Sequence, residues 1–160
     1  MATDREFLSE LGRSVQAGVD WDVSLARILS HFHADSGTIH MLAGDGALHL
    51  QAASAGIPEV VLNTVRVVPV GKGMAGLAVE RRQPVNACNI QTDTSGDVRP
   101  GAKATNLQGS IVVPIMRGDA AVGALGIANR HERVFTDAEA ALLLDAGRLL
   151  GAGNGGDTQR

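Results

Sequence analysis

The chain has 160 residues, a formal net charge of −3 and a hydrophobic fraction of 44%, a composition typical of one domain with a buried core. The acidic balance and the scarcity of aromatic residues (three Phe, one Trp, no Tyr) argue against a nucleic-acid partner, because backbone phosphates require positive charge and bases stack on aromatic faces. A charged amino terminus and a single cysteine predict a cytoplasmic protein with no membrane partner and no internal disulfide.

Two amphipathic helices are predicted at the amino terminus. Thr3 and Glu6 match a capping box, and apolar residues at helical spacing follow them until Gly18. Asp22 is a candidate cap for a second helix, which Gly37 closes.

The next two segments, Thr38–Leu42 and Ala47–Ala53, alternate around a glycine-containing turn, which predicts a β-hairpin. Pairing across the turn places His40 and His49 directly opposite each other, where they could bind a metal or titrate near neutral pH. We expect a solvated polar face and no metal at this pair. The opposite face is expected to carry Ile39, Met41, Leu48 and Leu50.

A glycine-rich turn follows the predicted strand Val65–Val70. The sequence from Gly71 to Gly76, GKGMAG, precedes residues that favour a helix up to Arg82, an order that leaves free backbone N–H groups where anions and polar ligands bind. Dinucleotide-binding enzymes use a similar turn, but Pro84–Asn89 lacks the acidic residue that holds the ribose, and hairpins follow in place of βαβ units. A dinucleotide cofactor is therefore not expected.

The remaining segments predict a loop, two strands and a last helix. Asn89–Gln108 is polar and without periodicity, as in binding loops and lids. Ser110–Met116 and Ala121–Ala128 are continuously apolar, which indicates central strands covered on both faces. Thr136 and Glu139 form a second capping box ahead of the last helix.

Together these elements predict a three-layer α+β fold with a central, mostly antiparallel sheet of five or six strands. The N- and C-terminal helices are expected on one face, and the middle helix and the polar loop on the other. We divide the chain into an N-terminal helix at 1–20, the main domain at 21–150 and a glycine-rich disordered tail at 151–160.

The collinear order of the segments resembles the GAF domain family over Leu25–Leu150, nearly the whole chain. The resemblance implies the layout above, a pocket for a small ligand between the sheet, the middle helix and the polar loop, and signalling through the terminal helices. The segments that carry it are Ile28–Leu42, Leu48–Pro58, Val70–Val79, Gln83–Val85, Ser110–Ile115, Val122–Asn129 and Phe135–Asp137.

Some GAF proteins are free methionine-(R)-sulfoxide reductases, which need a thiolate nucleophile and a resolving cysteine. Thr64 and Ala75 occupy two positions where those enzymes carry cysteines, the polar loop has none, and Cys88 lies outside the pattern. The segment Asn129–Glu139 matches the cyclic-nucleotide-binding signature too loosely to assign that ligand. The resemblance therefore implies a non-catalytic protein, with the reductase as a disfavoured alternative and Cys88 as a small buried or half-buried hydrophobe.

By resemblance, the pocket is expected to bind a small molecule whose identity the sequence leaves open. The expected walls are Val68, Met74, Leu77 and Val113. The expected polar contacts are the N–H groups of Gly73, Met74, Ala75 and Gly76, the side chain of Lys72 as a charge that attracts an anionic ligand, and Arg99, Lys103 and Asn106 in the polar loop.

The resemblance also implies a role in signal transduction, with the signal passed to a histidine kinase, to a regulator or through a homodimer. The alternative is an interaction module with an empty pocket, in which apolar stripes of the first and last helices form a homodimer bundle. Those stripes are Leu8, Leu11, Val15, Leu142 and Leu149.

Overall fold

Helices cover both faces of a six-stranded sheet in the computed structural model, which describes residues 2–93, 95, 97–98 and 105–153. The helices are α1 (Asp4–Gln16), α2 (Trp21–Phe32), α3 (Glu59–Val65), α4 (Gly73–Arg81) and α5 (Asp137–Gly153). The strands are β1 (Ser36–Leu42), β2 (Ala47–Ala53), β3 (Val67–Pro69), β4 (Val85–Ala87), β5 (Ser110–Arg117) and β6 (Ala120–Ala128).

One face of the sheet, which we call the helical face, packs against α1, α2 and α5, and the other, the α4 face, packs against α4 with α3 beside it. The strands are all antiparallel to their neighbours, in the order β3-β2-β1-β6-β5-β4. The predicted α+β architecture is confirmed. Of the two apolar strands expected at the centre, β6 is central, whereas β5 is separated from the edge only by the short strand β4.

A β-bulge interrupts the β1–β2 pairing between Ile39 and His40. Between the bulge and the hairpin turn, where the Ala43 N–H donates to the Ala47 carbonyl oxygen at 2.9 Å, His40 pairs with Leu50 and His49 pairs with Met41. The expected pair of facing histidines is therefore wrong. His40 also lies in the interior, with 3% of its surface exposed, and not on a solvated face.

The same register separates apolar residues that the sequence placed on one face. Ile39 and Met41 lie in the core of the helical face, whereas Leu48 lies in the core of the α4 face. Which residues of two strands share a face depends on the pairing register, and the hairpin register differs here by one residue from the expected one.

The capping boxes predicted for α1 and α5 are both present. In α1 the Thr3 hydroxyl accepts a hydrogen bond from the Glu6 N–H at 3.1 Å, and the Glu6 carboxylate accepts one from the Thr3 N–H at 2.9 Å. Helix α2 is capped by Asp20, whose carboxylate accepts from the Val23 N–H at 3.1 Å. The prediction of Asp22 as the cap is wrong, since Asp22 lies inside the first turn.

The helical face carries the larger core, and α1 is part of it. Leu11 and Val15 are 0% and 3% exposed, so two residues of the stripe expected to form a homodimer bundle are used inside the chain. Burial of each large aliphatic side chain contributes about 1.5–3 kcal/mol. The largest fully buried side chains of this core are Leu11, Ile28, Ile39, Ile111, Val113, Ile115, Leu125, Ile127, Leu143 and Leu150.

Helix α5 runs past the predicted end of the domain. It continues through Gly153, and a Cβ added at Gly151 would lie 2.8 Å from the Met116 carbonyl oxygen. Residues 151–153 therefore belong to the packed fold, contrary to the expectation of a tail, and 154–160 lie outside the described residues. In the described part of the chain, every helix is too short or too polar to cross a membrane.

Candidate functional site

The α4 face of the sheet carries a line of polar side chains from β1. Ser36, Thr38 and His40 occupy alternate positions of this strand, so they project from the same face. Gly37 faces the other way, because a Cβ added there would lie 2.8 Å from the Leu29 side chain of α2. We call Ser36, Thr38 and His40 the polar stripe.

Small residues of β6 lie beside the polar stripe. Gly126 pairs with Thr38, and Ala124 pairs with His40. A Cβ added at Gly126 would have Val112 Cγ2 at 3.1 Å and Thr38 Oγ1 at 3.6 Å as its nearest atoms, and both belong to the sheet. No described atom of the helices or loops that pack on this face therefore lies closer to that Cβ position than these two atoms. We call the small residues of β6 on this face, Ala124 and Gly126, the floor.

His40 lies beneath the end of α3. Its Nε2 donates a hydrogen bond to the Val65 carbonyl oxygen at 2.7 Å, and its Nδ1 is buried with no hydrogen-bond partner among the described residues. Burial lowers the pKa of His40 below its ordinary value, because the charged ring would lose hydration, and the hydrogen bond to Val65 opposes this only in part. His40 is therefore a neutral imidazole with one unused nitrogen.

The other members of the polar stripe differ in their contacts. Ser36 Oγ lies 2.9 Å from Ser54 Oγ, which also accepts from the Gly37 N–H at 3.0 Å. Thr38 is half-buried, and its hydroxyl has no hydrogen-bond partner in the part of the chain that the structure describes. The stripe thus holds two unused polar groups, on Thr38 and His40, whose residues are spaced about 7 Å along the strand.

The glycine turn, residues 71–76, has the conformation that its composition predicts. Gly71 and Gly73 have φ of 90° and 66°, a region that favours glycine. A Cβ added at Gly76 would clash with the Pro69 carbonyl oxygen, so a side chain there would separate the start of α4 from the end of β3. Lys72 is the N-cap residue of α4.

Only part of the expected N–H cluster is open. The Gly76 N–H donates to the Lys72 carbonyl oxygen at 3.1 Å, so it is not available to a ligand, contrary to the prediction. The N–H groups of residues 73–75 have no backbone partner within the described chain, as at any helix start. Lys72 is exposed, and the Glu80 carboxylate lies close to Gly71, so charges of both signs flank the turn.

The hydrophobic residues expected to form the pocket walls divide between the two faces. Val68 and Met74 are buried in one cluster on the α4 face, and Leu77 packs against it. Val113 lies in the core of the helical face, so the expectation that it shares a wall with Val68 is wrong. Because side chains alternate along β5, its neighbour Val112 takes that place on the α4 face.

The polar loop between β4 and β5 is attached by side chains that the sequence did not single out. Gln91 Nε2 donates to the carbonyl oxygens of Thr105 and Leu107 at 2.9 and 2.8 Å, which joins the two ends of the loop. Arg81 of α4 pairs with Asp97 of the loop at 3.1 Å. In its described part the loop therefore contacts α4 and joins its own two ends, and Ile90 and Val98 are buried in the cluster on this face.

A cleft of ≈ 110 Å³ opens at the end of the polar stripe, and both Ser36 and Asn106 line it. Asn106 is exposed, so the structure brings one predicted loop residue next to the stripe. Arg99 and Lys103, the other two, lie outside the described residues.

Asn129 and Arg133 connect the end of β6 to α2 and α5. Asn129 is 1% exposed and donates to the His33 carbonyl oxygen at 2.8 Å, and Arg133 donates to Phe32 O and to Glu139 Oε2, each at 2.8 Å. Burial alone would raise the pKa of Glu139, but hydrogen bonds from its capping box and from Arg133 lower it overall. These residues have structural roles, although their order loosely matches the cyclic-nucleotide signature.

The described residues contain no group of three or more His, Cys, Asp or Glu side chains that could hold a metal ion. Cys88 follows β4 and is exposed, so the expectation of a buried or half-buried cysteine is wrong. His49, the second histidine of the hairpin, makes a local surface contact, since its Nε2 lies 2.8 Å from Asp45 Oδ2.

Sequence reasoning missed the polar stripe as a unit. The pattern Ser36-x-Thr38-x-His40 in a predicted strand is the signal that could have found it, because residues two apart on a strand share a face. The assignment of His40 to a cross-strand histidine pair concealed that pattern.

Comparisons with known proteins agree on the fold. A family model described as GAF domain matches residues 22–152. The chain is similar to the GAF domain of an Acinetobacter phosphoenolpyruvate-protein phosphotransferase, with a TM-score of 0.77 and 19% identity over 96% of this chain and 93% of that chain. Among curated protein sequences, no significant match is found.

Other similar structures belong to proteins of different kinds. The free methionine-R-sulfoxide reductase of Neisseria meningitidis, solved in complex with its substrate, has a TM-score of 0.77 and 18% identity over 96% of this chain and 92% of that chain. A domain assigned to a two-component sensor histidine kinase of Sinorhizobium meliloti 1021 has a TM-score of 0.64 and 17% identity over 81% of this chain and 85% of that chain. At such identities the likeness concerns the fold alone.

Proposed function

The chain belongs to the GAF domain family, and from that premise we propose that it is a non-catalytic sensory or regulatory module that binds a small molecule on the α4 face. The family supports a regulatory or sensory role in general. The α4 face supports a ligand site because it combines a floor of small residues, buried apolar walls and polar groups without partners, which is the usual make-up of a small-molecule site.

The observation that carries the proposal is the unused polar groups of the polar stripe. A buried acceptor such as His40 Nδ1 costs about 1–3 kcal/mol when nothing donates to it. A face that served only as core would gain stability by replacing it with an apolar side chain. A ligand that supplies the missing donor recovers this energy on binding.

The described part of the polar loop helps to cover this face. The polar loop contacts α4 through the ion pair of Arg81 and Asp97, and its residues Ile90 and Val98 are buried in the apolar cluster of this face. Gln91 closes the loop on itself and does not attach it to the sheet.

The cysteine content supports the non-catalytic assignment, because it argues against the reductase activity. Reduction of a sulfoxide by thiols forms a disulfide at the expense of two thiol groups, and the chain has one cysteine. Cys88 is exposed at the end of the edge strand β4, on a different strand from the polar stripe. Turnover of free methionine-(R)-sulfoxide with thioredoxin and NADPH that disappears in Cys88→Ser would overturn this part of the proposal.

We further propose that the signal leaves through α1 and α5, to a homodimer partner, a histidine kinase or another regulator. Leu8, Leu142 and Leu149 are only partly buried against the helical core, so they remain accessible on these helices, whereas Leu11 and Val15 do not. An interaction module with an empty pocket is the second candidate. A concentration-dependent dimer in sedimentation, together with no ligand response, would favour it.

Thermal-shift screening tests the ligand site directly, with nitrate, cyclic nucleotides, small carboxylates and amino acids as probes. A ligand at about one hundred times its Kd stabilises the folded state by about 2.7 kcal/mol, which raises Tm by roughly 5–10 °C. Gly126→Val, which fills the floor, should abolish the shift. Gly44→Val makes the same change in the hairpin turn, where a Cβ meets nothing within 4 Å, and should retain it.

A further inference from the structure

We propose that the ligand of the α4 face presents a neutral N–H or O–H group to Nδ1 of His40, which makes it a hydrogen-bond donor such as an amide, an alcohol or an N–H heterocycle. The inference rests on the proposed function, because it names the ligand chemistry of the same site. It goes beyond that function by excluding ligands that carry only acceptors.

The hydrogen bond to Val65 determines the tautomer of His40. A carbonyl oxygen can only accept, so the contact of 2.7 Å requires the proton to be on Nε2. A neutral imidazole has one donor and one acceptor nitrogen, and Nδ1 is therefore the acceptor. Burial keeps the ring neutral near neutral pH, since it lowers the pKa of His40.

No protein group of the described chain fills the acceptor. His40 Nδ1 is buried without a partner, although His40 is only 3% exposed, and buried polar atoms are paired in the great majority of cases. Thr38 lies two residues away on the same face with an unused hydroxyl, which can donate or accept. A ligand that contacts both groups would span about 7 Å along the strand.

The surroundings of His40 favour an uncharged donor. Its cross-strand neighbours on this face are Leu50 and Ala124, and the contact from α3 is a backbone carbonyl. Among these described neighbours nothing supplies a negative charge to balance a buried ammonium group, and burial of an unpaired charge is costly. A bare oxyanion is disfavoured as well, because it has no proton to give to Nδ1.

Matched pairs of small probes test this chemistry, since the two members of each pair differ only by methylation of the donor. The pairs are 2-pyrrolidinone and its N-methyl derivative, benzamide and N,N-dimethylbenzamide, and benzyl alcohol and its methyl ether. Nuclear magnetic resonance of isotope-labelled full-length chain follows the His40 ring nitrogens and the backbone amides of Thr38 and Gly126. We expect at least one donor to shift the Nδ1 resonance and to bind about tenfold tighter than its methylated counterpart.

Variants separate recognition from packing. His40→Phe should remove the preference for the donor. If His40→Phe fails to fold, the Nδ1 resonance of the unchanged protein still decides, because only the donor of each pair should shift it. Ser24→Ala is the matched control: Ser24 Oγ is the other buried side-chain atom without a partner in the described chain, but it lies on α2 and should leave the preference unchanged.

The outcomes distinguish this inference from the proposed function. If donors and their methylated counterparts shift the amide resonances of Thr38 and Gly126 with equal affinity, this inference is wrong, whereas the ligand site on the α4 face is supported. A ligand-free spectrum in which Nδ1 carries the proton would also overturn it. No shift on this face with any probe, together with no hit in the thermal-shift screen, would overturn both.

Discussion

The two faces of the sheet are made from the same strands but differ in composition. On the helical face, Ile39 and Leu125 are fully buried beneath α1, α2 and α5. On the α4 face, the adjacent positions carry His40, Ala124 and Gly126. Because strand side chains alternate, one set of strands can hold a dense core on one side and a site on the other. Stability and recognition can then be changed separately.

Truncation of core residues should give the largest difference between the faces. Leu125→Ala removes a fully buried side chain of the helical face and should lower the free energy of unfolding by about 3 kcal/mol or more. Leu50→Ala, the same change at a half-buried position of the α4 face, should cost under about 1.5 kcal/mol. Urea denaturation measures the free energy of unfolding of both variants, and equal losses would contradict the proposed difference between the two faces.

The adjacent glycines of the two faces sharpen the contrast. Gly37→Ala places a Cβ 2.7 Å from the Gly126 carbonyl oxygen and 2.8 Å from Leu29 of α2, and overpacking of this kind costs about 1–3 kcal/mol. Gly126→Ala meets its nearest atom, Val112 Cγ2, at 3.1 Å. The penalty there should be under about 1 kcal/mol, since Val112 can rotate and alanine lowers unfolded-state entropy.

Circular dichroism melts of both glycine variants test this ordering. A Tm for Gly126→Ala as low as that of Gly37→Ala would mean that the α4 face is as tightly filled as the helical face. The floor of small side chains would then be core and not a site.

Local sequence signals were enough to predict much of the fold. The capping boxes at Thr3 and Thr136 and the glycine turn at 71–76 depend on residues close in the chain, and all three are present. Together with the order of the segments, they predict the helices, the strands and the layers. What they cannot predict is register, because register depends on pairing between strands.

The errors in the site follow from that limit. The register of the β1–β2 hairpin pairs His40 with Leu50 and not with His49, and the alternation of side chains along β5 places Val113 on the helical face. No local residue pattern identifies either. The polar groups of the site depend on which residues share a face, so the sequence located the glycine turn correctly but missed Thr38 and His40.

The pH dependence of stability should come from His40 on the α4 face. Its folded pKa is lowered from 6.5 by burial, so the unfolded chain binds more protons below that pH. The contribution of His40 to the free energy of unfolding is fully present above the unfolded pKa. It decreases as pH falls below 6.5, by up to about 1.4 kcal/mol per pH unit. The lowered pKa values of Asp35 and Glu139 act only at lower pH, near the ordinary carboxyl range.

Urea denaturation between mildly acidic and neutral pH measures this slope. His40→Phe should remove it, whereas His49→Gln, at the exposed end of the hairpin, should leave it in place. A slope that persists in His40→Phe would show that burial of His40 does not set the pH response.

The smallest effect is expected for the hydroxyl of Thr38, and it decides what the polar stripe is for. Thr38→Val keeps the shape of the side chain and removes a hydroxyl that has no partner in the described chain, so unfolding without ligand should change by under about 0.5 kcal/mol. Ser36→Ala, on the same stripe, loses the contact of 2.9 Å with Ser54 and should cost about 1 kcal/mol.

If Thr38→Val cost as much as Ser36→Ala, the stripe would be a structural network. If Thr38→Val is neutral alone and weakens only the ligand-dependent shift in Tm, the hydroxyl serves recognition, because its energy then appears only when a ligand is bound.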